Sequence, residues 1–382
     1  MLLGLVYHVT LIYSFFGWNV TDGSSWDGFG VLSYLLHSFR MPAFFIIAGY
    51  FSALSLERSG GRSFLRKRLL RVGVPMVASL LTINVVLWYI TAGFRAGVWN
   101  ALWSPQFAEA WRSGSIFAHL WFLQVLLVLN LLHLLARSLH MRLPRAAEKL
   151  PAWVLGVMVP ALVVGAYALF DKSSLPAWAV NPAYCSPGMR TVAIFAPFFF
   201  LGIYLYRFPR HACSRFSFPR LLALGALGIL CAWLPGRVPM SGYLGRILEL
   251  YSESMLSWIA AKALLGWAAR SWNKPSRLFH SLATASYTVY LLHVVVILAI
   301  SSALLDVAWS AGVKFVVVLT GTAVLSFAAH YLAVQRSALL SFLLNGILPR
   351  RRPAAVPVPI KTFPEKPARA PRPSYSTMNG AA

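Results

Sequence analysis

Carboxylates are scarce in this chain. Ten Asp and Glu stand against 34 Lys and Arg in 382 residues, and only 12% of positions carry a charge. A soluble domain that is 58% hydrophobic, with a mean hydropathy of +0.66, would expose large apolar patches to water. The composition therefore excludes a soluble fold and implies a membrane protein. Cysteine is nearly absent as well: Cys185, Cys213 and Cys231 are too dispersed for a disulfide framework or a metal site, and no redox role follows. The chain has no P-loop, no dinucleotide-binding glycine pattern, no metal-spaced His/Cys cluster and no internal repeat, so neither a resident metal nor a tightly bound cofactor is expected.

What the chain does have is long apolar runs. A membrane helix needs about 20 mostly apolar residues, and ten stretches meet that rule: 2–18, 31–56, 69–93, 115–136, 152–170, 191–206, 221–235, 243–268, 281–304 and 312–334. The sixth and seventh are short. Short connections favour one domain over two. The fold class expected is all-α: a polytopic membrane protein of about ten transmembrane helices in one bundle over residues 1–340, with a basic, proline-rich tail over 341–382. The opening "MLLGLVYHVTLIYSFFGW" lacks a basic lead and a small-residue cleavage site, so it reads as the first membrane helix and not as a secretory signal.

The excess of positive charge follows topology. Alternate loops, together with the tail, hold 25 of the Lys and Arg, and the opposite loops hold six; Arg40, Lys262 and Lys314 fall within helices. Basic residues stay on the cytoplasmic side, so both termini are expected inside. This asymmetry explains most of the net charge of +24 without nucleic acid. A basic inner face will also attract anionic lipid headgroups or a phosphorylated cosubstrate. Residues 349–382, with eight prolines and few large apolar side chains, cannot bury enough surface to order themselves.

Polar residues inside apolar runs carry the chemical signal. In "HSFRMPAFFIIAGYFS", His37 and Arg40 share a helix face, with Arg40 about 15 Å along its helix. A charge at that depth marks a functional site; the competing reading is a snorkelling or purely structural arginine. His8 is surrounded by apolar residues and suits a satisfied structural histidine as well as a catalytic one. His119 and Trp121 open the fourth run in "HLWFLQVLLVLN", where Trp121 would equally suit an interface belt. Tyr290 and His293 share a face in "SYTVYLLHVVVI". Glu249 and Glu253, at i and i+4, could supply a carboxylate to Arg40 or a histidine, or simply wet a helix end. Arg68 and Arg71, in "RKRLLRVGVP", could grip phosphates through forked hydrogen bonds or anchor the helix on the positive side.

Five of these pieces, "YHVTLIYS", "HSFRMPAFFIIAGYFS", "RLLRVGVPM", "HLWFL" and "YTVYLLH", occur in the order and spacing of the acyltransferase 3 family of integral membrane acyltransferases. The chain resembles that family from residue 1 to about 340, and most closely its branch that succinylates osmoregulated periplasmic glucans. The resemblance implies transfer of an acyl group, succinyl by the branch, from cytoplasmic acyl-CoA as cosubstrate to hydroxyls of a periplasmic glucan or other glycan. It places the family's first-helix histidine on His8, its second-helix arginine on Arg40, its basic pair on Arg68 and Arg71, its histidine before Trp-Phe on His119, and its late Tyr and His on Tyr290 and His293; Glu253 resembles a family acid less closely. His8, Arg40, His119 and Glu253 are thus candidate catalytic residues, Arg68 and Arg71 candidate acyl-CoA ligands, and His37, Trp121, Tyr290 and His293 candidate substrate-binding residues.

The sequence departs from the family in two places. The arginine expected eleven positions before His8 would precede Met1, which suggests a start site assigned too late or a defective protein. Ala48 stands in "IAGY" where relatives commonly have Ser.

Histidine is suited to take a proton from an alcohol near neutral pH. His8 is the expected general base, and Arg40 or His119 the expected stabiliser of the oxyanion; transfer through an acyl-histidine is an open variant. A transporter or flippase would also place charges mid-membrane, and a structural scaffold would tolerate changes at His8 and Arg40. A transporter would ordinarily carry inverted repeats or helices broken in corresponding halves, which the sequence does not clearly show.

Overall fold

The computed structural model describes residues 2–15, 18, 20, 22–91, 98–141, 148–150, 152–172, 188–209, 226, 242–271 and 276–348. Helices and short turns make up these residues, with no strand among them. The elements are α1 (Leu2–Ile12), α2 (Asp27–Ser59), α3 (Gly61–Arg68), α4 (Val74–Leu81), α5 (Ile83–Thr91), α6 (Val98–Leu102), α7 (Pro105–Arg112), α8 (Trp121–Ser138), α9 (Ala152–Lys172), α10 (Met189–Arg207), α11 (Gly242–Ser271), α12 (Arg277–Ala303), α13 (Ala311–Ala328) and α14 (Ala338–Asn345). A π-helical turn, Leu69–Gly73, joins α3 to α4, and another, Ala329–Val334, extends α13. A 3₁₀ turn, Ser115–Leu120, leads into α8.

Five of these helices are long and apolar enough to cross a membrane, and a sixth span results if the bent pair Gly61–Leu81 and Ile83–Thr91 is one crossing. Five of the ten expected spans are thereby matched among the described residues, and six if the bent pair is one crossing. Apart from residue 226, the seventh, 221–235, lies outside them, as do the three cysteines and residues 349–382. The first span ends earlier than expected: α1 stops at Ile12, and the chain turns at Tyr13 so that Asp22 N–H reaches the Ile12 carbonyl and Trp26 N–H the Tyr13 carbonyl. The basic stretch after the second span is not a loop. Gly60, at φ +72°, breaks the chain between α2 and α3, and Arg62, Arg66, Lys67 and Arg68 all lie on α3. The sequence places the tail from residue 341, but α14 runs to Asn345. Large apolar side chains such as Leu81, Leu162, Val316, Val324 and Leu325 face outward, as a hydrocarbon solvent requires.

The 33-residue α2 packs on α1, α8, α10 and α11. Its crossing with α10 is backbone to backbone: a Cβ on Gly49 would collide with the Phe199 carbonyl, and one on Gly202 with the Ile46 carbonyl. Only glycine fits at both points. Phe45, Ile46, Phe198, Phe199, Leu123 and Leu291 fill the core around this crossing.

Pro42 lies inside α2 and has no N–H to give the Ser38 carbonyl. Ser257 Oγ of α11 reaches that carbonyl instead, sharing its proton with the Glu253 carbonyl of its own helix. In an apolar interior such a group must be satisfied internally, so the proline in α2 and the seat of α11 are one feature.

Candidate active site

Three imidazoles meet between α1, α12 and the turn before α8. The His8 and His293 rings are 5.2 Å apart, and the His293 and His119 rings 5.5 Å. His119 and His293 are buried; His8 is partly exposed, but its Nδ1 is enclosed and makes no hydrogen bond. Trp18, from the segment after α1, stacks on His8 at 5.1 Å. Among the described residues no His, Cys, Asp and Glu group is placed to hold a metal.

The tautomer of His293 is fixed. Its Nδ1 lies 2.6 Å from the Tyr290 carbonyl, which only accepts, so Nδ1 carries the proton and the neutral ring keeps its lone pair on Nε2. Neither ring nitrogen of His119 completes a hydrogen bond, although the Leu291 carbonyl lies near.

Arg40 enters the group from α2. Its guanidinium carbon sits 3.9 Å from the centre of the Tyr7 ring, and one of its terminal nitrogens lies beside Gly4, a helical turn before His8. His8, His293 and Tyr290 are all within electrostatic reach of it. Among the described residues Arg40 has no carboxylate partner. The Tyr7 hydroxyl is 3.1 Å from His37 Nδ1, so Tyr7 links Arg40 to His37. Sequence reasoning passed over Tyr7, although it directly precedes His8.

His119 does not open α8, as the sequence suggests, but lies within the 3₁₀ turn before it. There Ala118 adopts φ 40°, ψ −122°, a strained conformation for a residue with a Cβ, of order 1–3 kcal/mol. Such strain persists only where the surroundings impose it. Asn84 of α5 donates both amide protons, to the Ile116 and Phe117 carbonyls, at 2.8 and 2.9 Å. The Tyr290 hydroxyl donates to the His119 carbonyl at 2.7 Å.

His37, Ser38, Trp121, Arg190, Arg246 and Glu253 line a cavity of about 550 Å³ that also reaches Ala118. Trp121 stacks on Phe195 at 5.6 Å. Glu253 therefore stands on the cavity wall and does not join the imidazoles; its electrostatic neighbours are Arg246, Glu249 and Tyr34, not Arg40. Glu249 pairs with Arg246 at 3.0 Å.

Arg68 and Arg71 lie apart from the imidazoles and within electrostatic reach of each other. The Arg68 guanidinium donates to the Phe51 carbonyl of α2 at 3.4 Å and faces the Phe64 ring. Phe51 is eleven residues past Arg40, about 16 Å along the helix axis.

A family model described as an acyltransferase domain matches residues 1–331. The chain is 31% identical over 232 residues to glucans biosynthesis protein C of Escherichia coli (strain K12), covering 57% of this chain and 58% of the relative. The protein of the same name in Shigella dysenteriae serotype 1 (strain Sd197) is 31% identical over 234 residues, 57% of this chain and 58% of that one. That of Escherichia coli O139:H28 (strain E24377A / ETEC) is 30% identical over 224 residues, 55% and 56%. The matches thus span less than two thirds of the curated relatives' length. No solved structure matches the chain.

Proposed function

The chain belongs to the acyltransferase 3 family, and from that premise we propose that it is a multi-pass membrane O-acyltransferase that moves an acyl group from cytoplasmic acyl-CoA to a hydroxyl of an extracytoplasmic glucan or related glycan. The names of the relatives point to glucan synthesis, and succinyl is the acyl group we assign. One observation carries the reading: His8, His119, His293 and Arg40, from four separate segments, meet at one place.

In the proposed reaction His8 takes the proton of the acceptor hydroxyl. The oxygen attacks the thioester carbonyl, whose electron pair moves onto the carbonyl oxygen opposite Arg40, a fixed positive charge with no carboxylate partner among the described residues. The tetrahedral intermediate collapses with cleavage of the C–S bond. His8 returns the proton to the leaving sulfur, giving an ester and CoA thiol.

Two features support a donor side and an acceptor side. Arg68 and Arg71 offer paired guanidiniums for the phosphates of CoA, about 16 Å along α2 from Arg40. The cavity lies at the opposite part of α2, at His37 to Pro42, and its largely apolar wall carries His37, Ser38, Arg190, Arg246 and Glu253, polar groups that could bond the hydroxyls of a sugar. The proposed topology has ten crossings in one bundle, with both termini and the basic pair on the cytoplasmic side of a bacterial inner membrane.

Purified protein in detergent, given succinyl-CoA and a soluble glucan, is expected to release CoA thiol and to produce succinyl esters seen by mass spectrometry. No release and no ester in detergent, with movement of glucan into sealed vesicles, would replace the enzyme with a transporter.

A further inference from the structure

Three carbonyls in the turn before α8 are held by side chains of two other helices. The turn is kinked at Ala118, and the Ile116, Phe117 and His119 carbonyls around the kink each accept a hydrogen bond from a side chain of another helix. In an apolar interior those oxygens must find partners within the protein. Asn84 is buried, and its two amide protons satisfy the first two. The Tyr290 hydroxyl satisfies the third.

Tyr290 acts on two imidazoles at once. Its hydroxyl holds the peptide of His119, its ring stands edge-on to the His119 ring at 5.6 Å, and its own carbonyl fixes the proton of His293 on Nδ1. The single proton of that hydroxyl is already committed to a protein carbonyl, which leaves none to donate to a substrate.

We infer that Asn84 and Tyr290 are positioning residues that clamp the strained Ser115–Leu120 turn and so aim His119 at the reaction site, and that Tyr290 is not a substrate-binding residue. The inference rests on the acyltransferase reading only for its kinetic consequence. The clamp itself is a property of the fold. It belongs to neither residue alone, because the carbonyls it holds flank Ala118 on both sides.

The test has two arms. Hydrogen exchange of the intact protein in detergent is expected to speed up within residues 115–120 in Tyr290→Phe and in Asn84→Asp, which keep side-chain size but lose the donor, with α10 and α11 unchanged. Unchanged exchange in the turn would overturn the clamp whether or not the protein transfers acyl groups. In the transfer assay, Tyr290→Phe is expected to lower kcat on the order of 100-fold, the effect of a misplaced group, with KM for succinyl-CoA unchanged. In a His119→Gln background the same substitution is expected to do nothing further. An equal additional loss there, or a rise in KM for the glucan with kcat preserved, would make Tyr290 a substrate contact and overturn the inference.

Discussion

Arg40 rests its guanidinium on the face of Tyr7, 3.9 Å from the ring centre, instead of on a carboxylate. A cation held by a ring keeps its full charge available to a developing oxyanion, whereas a salt bridge would offset it. A desolvated cation–π contact is worth about 2 kcal/mol, or roughly 30-fold in rate if the contact sets the position of Arg40. Tyr7→Leu is therefore expected to slow transfer by about that factor. Tyr7→Phe keeps the ring and is expected to stay within about 3-fold of the parent rate, which a steady-state assay of both variants checks.

Ser257 replaces the donor that Pro42 cannot provide. Ser257→Ala leaves the Ser38 carbonyl unsatisfied inside the protein and is expected to cost about 1–3 kcal/mol of stability. Adding Pro42→Ala supplies a backbone N–H within α2 and is expected to recover much of that loss. Thermal melts of the single and double variants in one detergent measure both effects.

The buried pair Asp22–Lys314 ties the segment after α1 to α13 at 2.7 Å, with both side chains 3% exposed. Burial alone would raise the Asp22 carboxyl, but the Lys314 ammonium and the Ser24 hydroxyl and backbone N–H outweigh it and hold the group below the ordinary carboxylate range. A lowered folded-state value means that the stabilisation is fully present above the unfolded value, near 3.9, and is lost as pH falls through the folded one. The melting temperature of the parent protein is thus expected to drop on acidification below about pH 4. Asp22→Asn, already lacking the charge, is expected to be less stable at neutral pH by about 3–5 kcal/mol because Lys314 is left unpaired. Its acid-dependent drop is expected to be smaller, and Asp22→Asn with Lys314→Met is expected to regain stability.

Much of this arrangement is legible in the sequence, because charge and imidazole inside apolar runs are conspicuous. His8, Arg40, His119, Tyr290 and His293 stand out in that way, and the structure gathers all five. Glu253 does not join them, since its place on α11 turns it to the cavity wall with Arg246. Partners that act across long sequence separations leave weaker traces: Asn84 meets the turn 32 and 33 residues later, and Ser257 meets Ser38 across 219. A lone Asn in "LLTINVVLWYI" is a usable signal for the first; no periodicity could reveal the second. The short α1 and the break at Gly60 were hidden because hydropathy reports burial and not where the backbone turns.

Transfer by His8→Gln is the most direct measurement. Gln keeps a polar side chain of similar reach but cannot take a proton, so correctly inserted variant protein, with the melting temperature of the parent, is expected to release no CoA thiol above background and to form no glucan ester. Parental rates of thiol release and esterification in that variant would contradict the assignment of the three-histidine meeting point as the reaction centre.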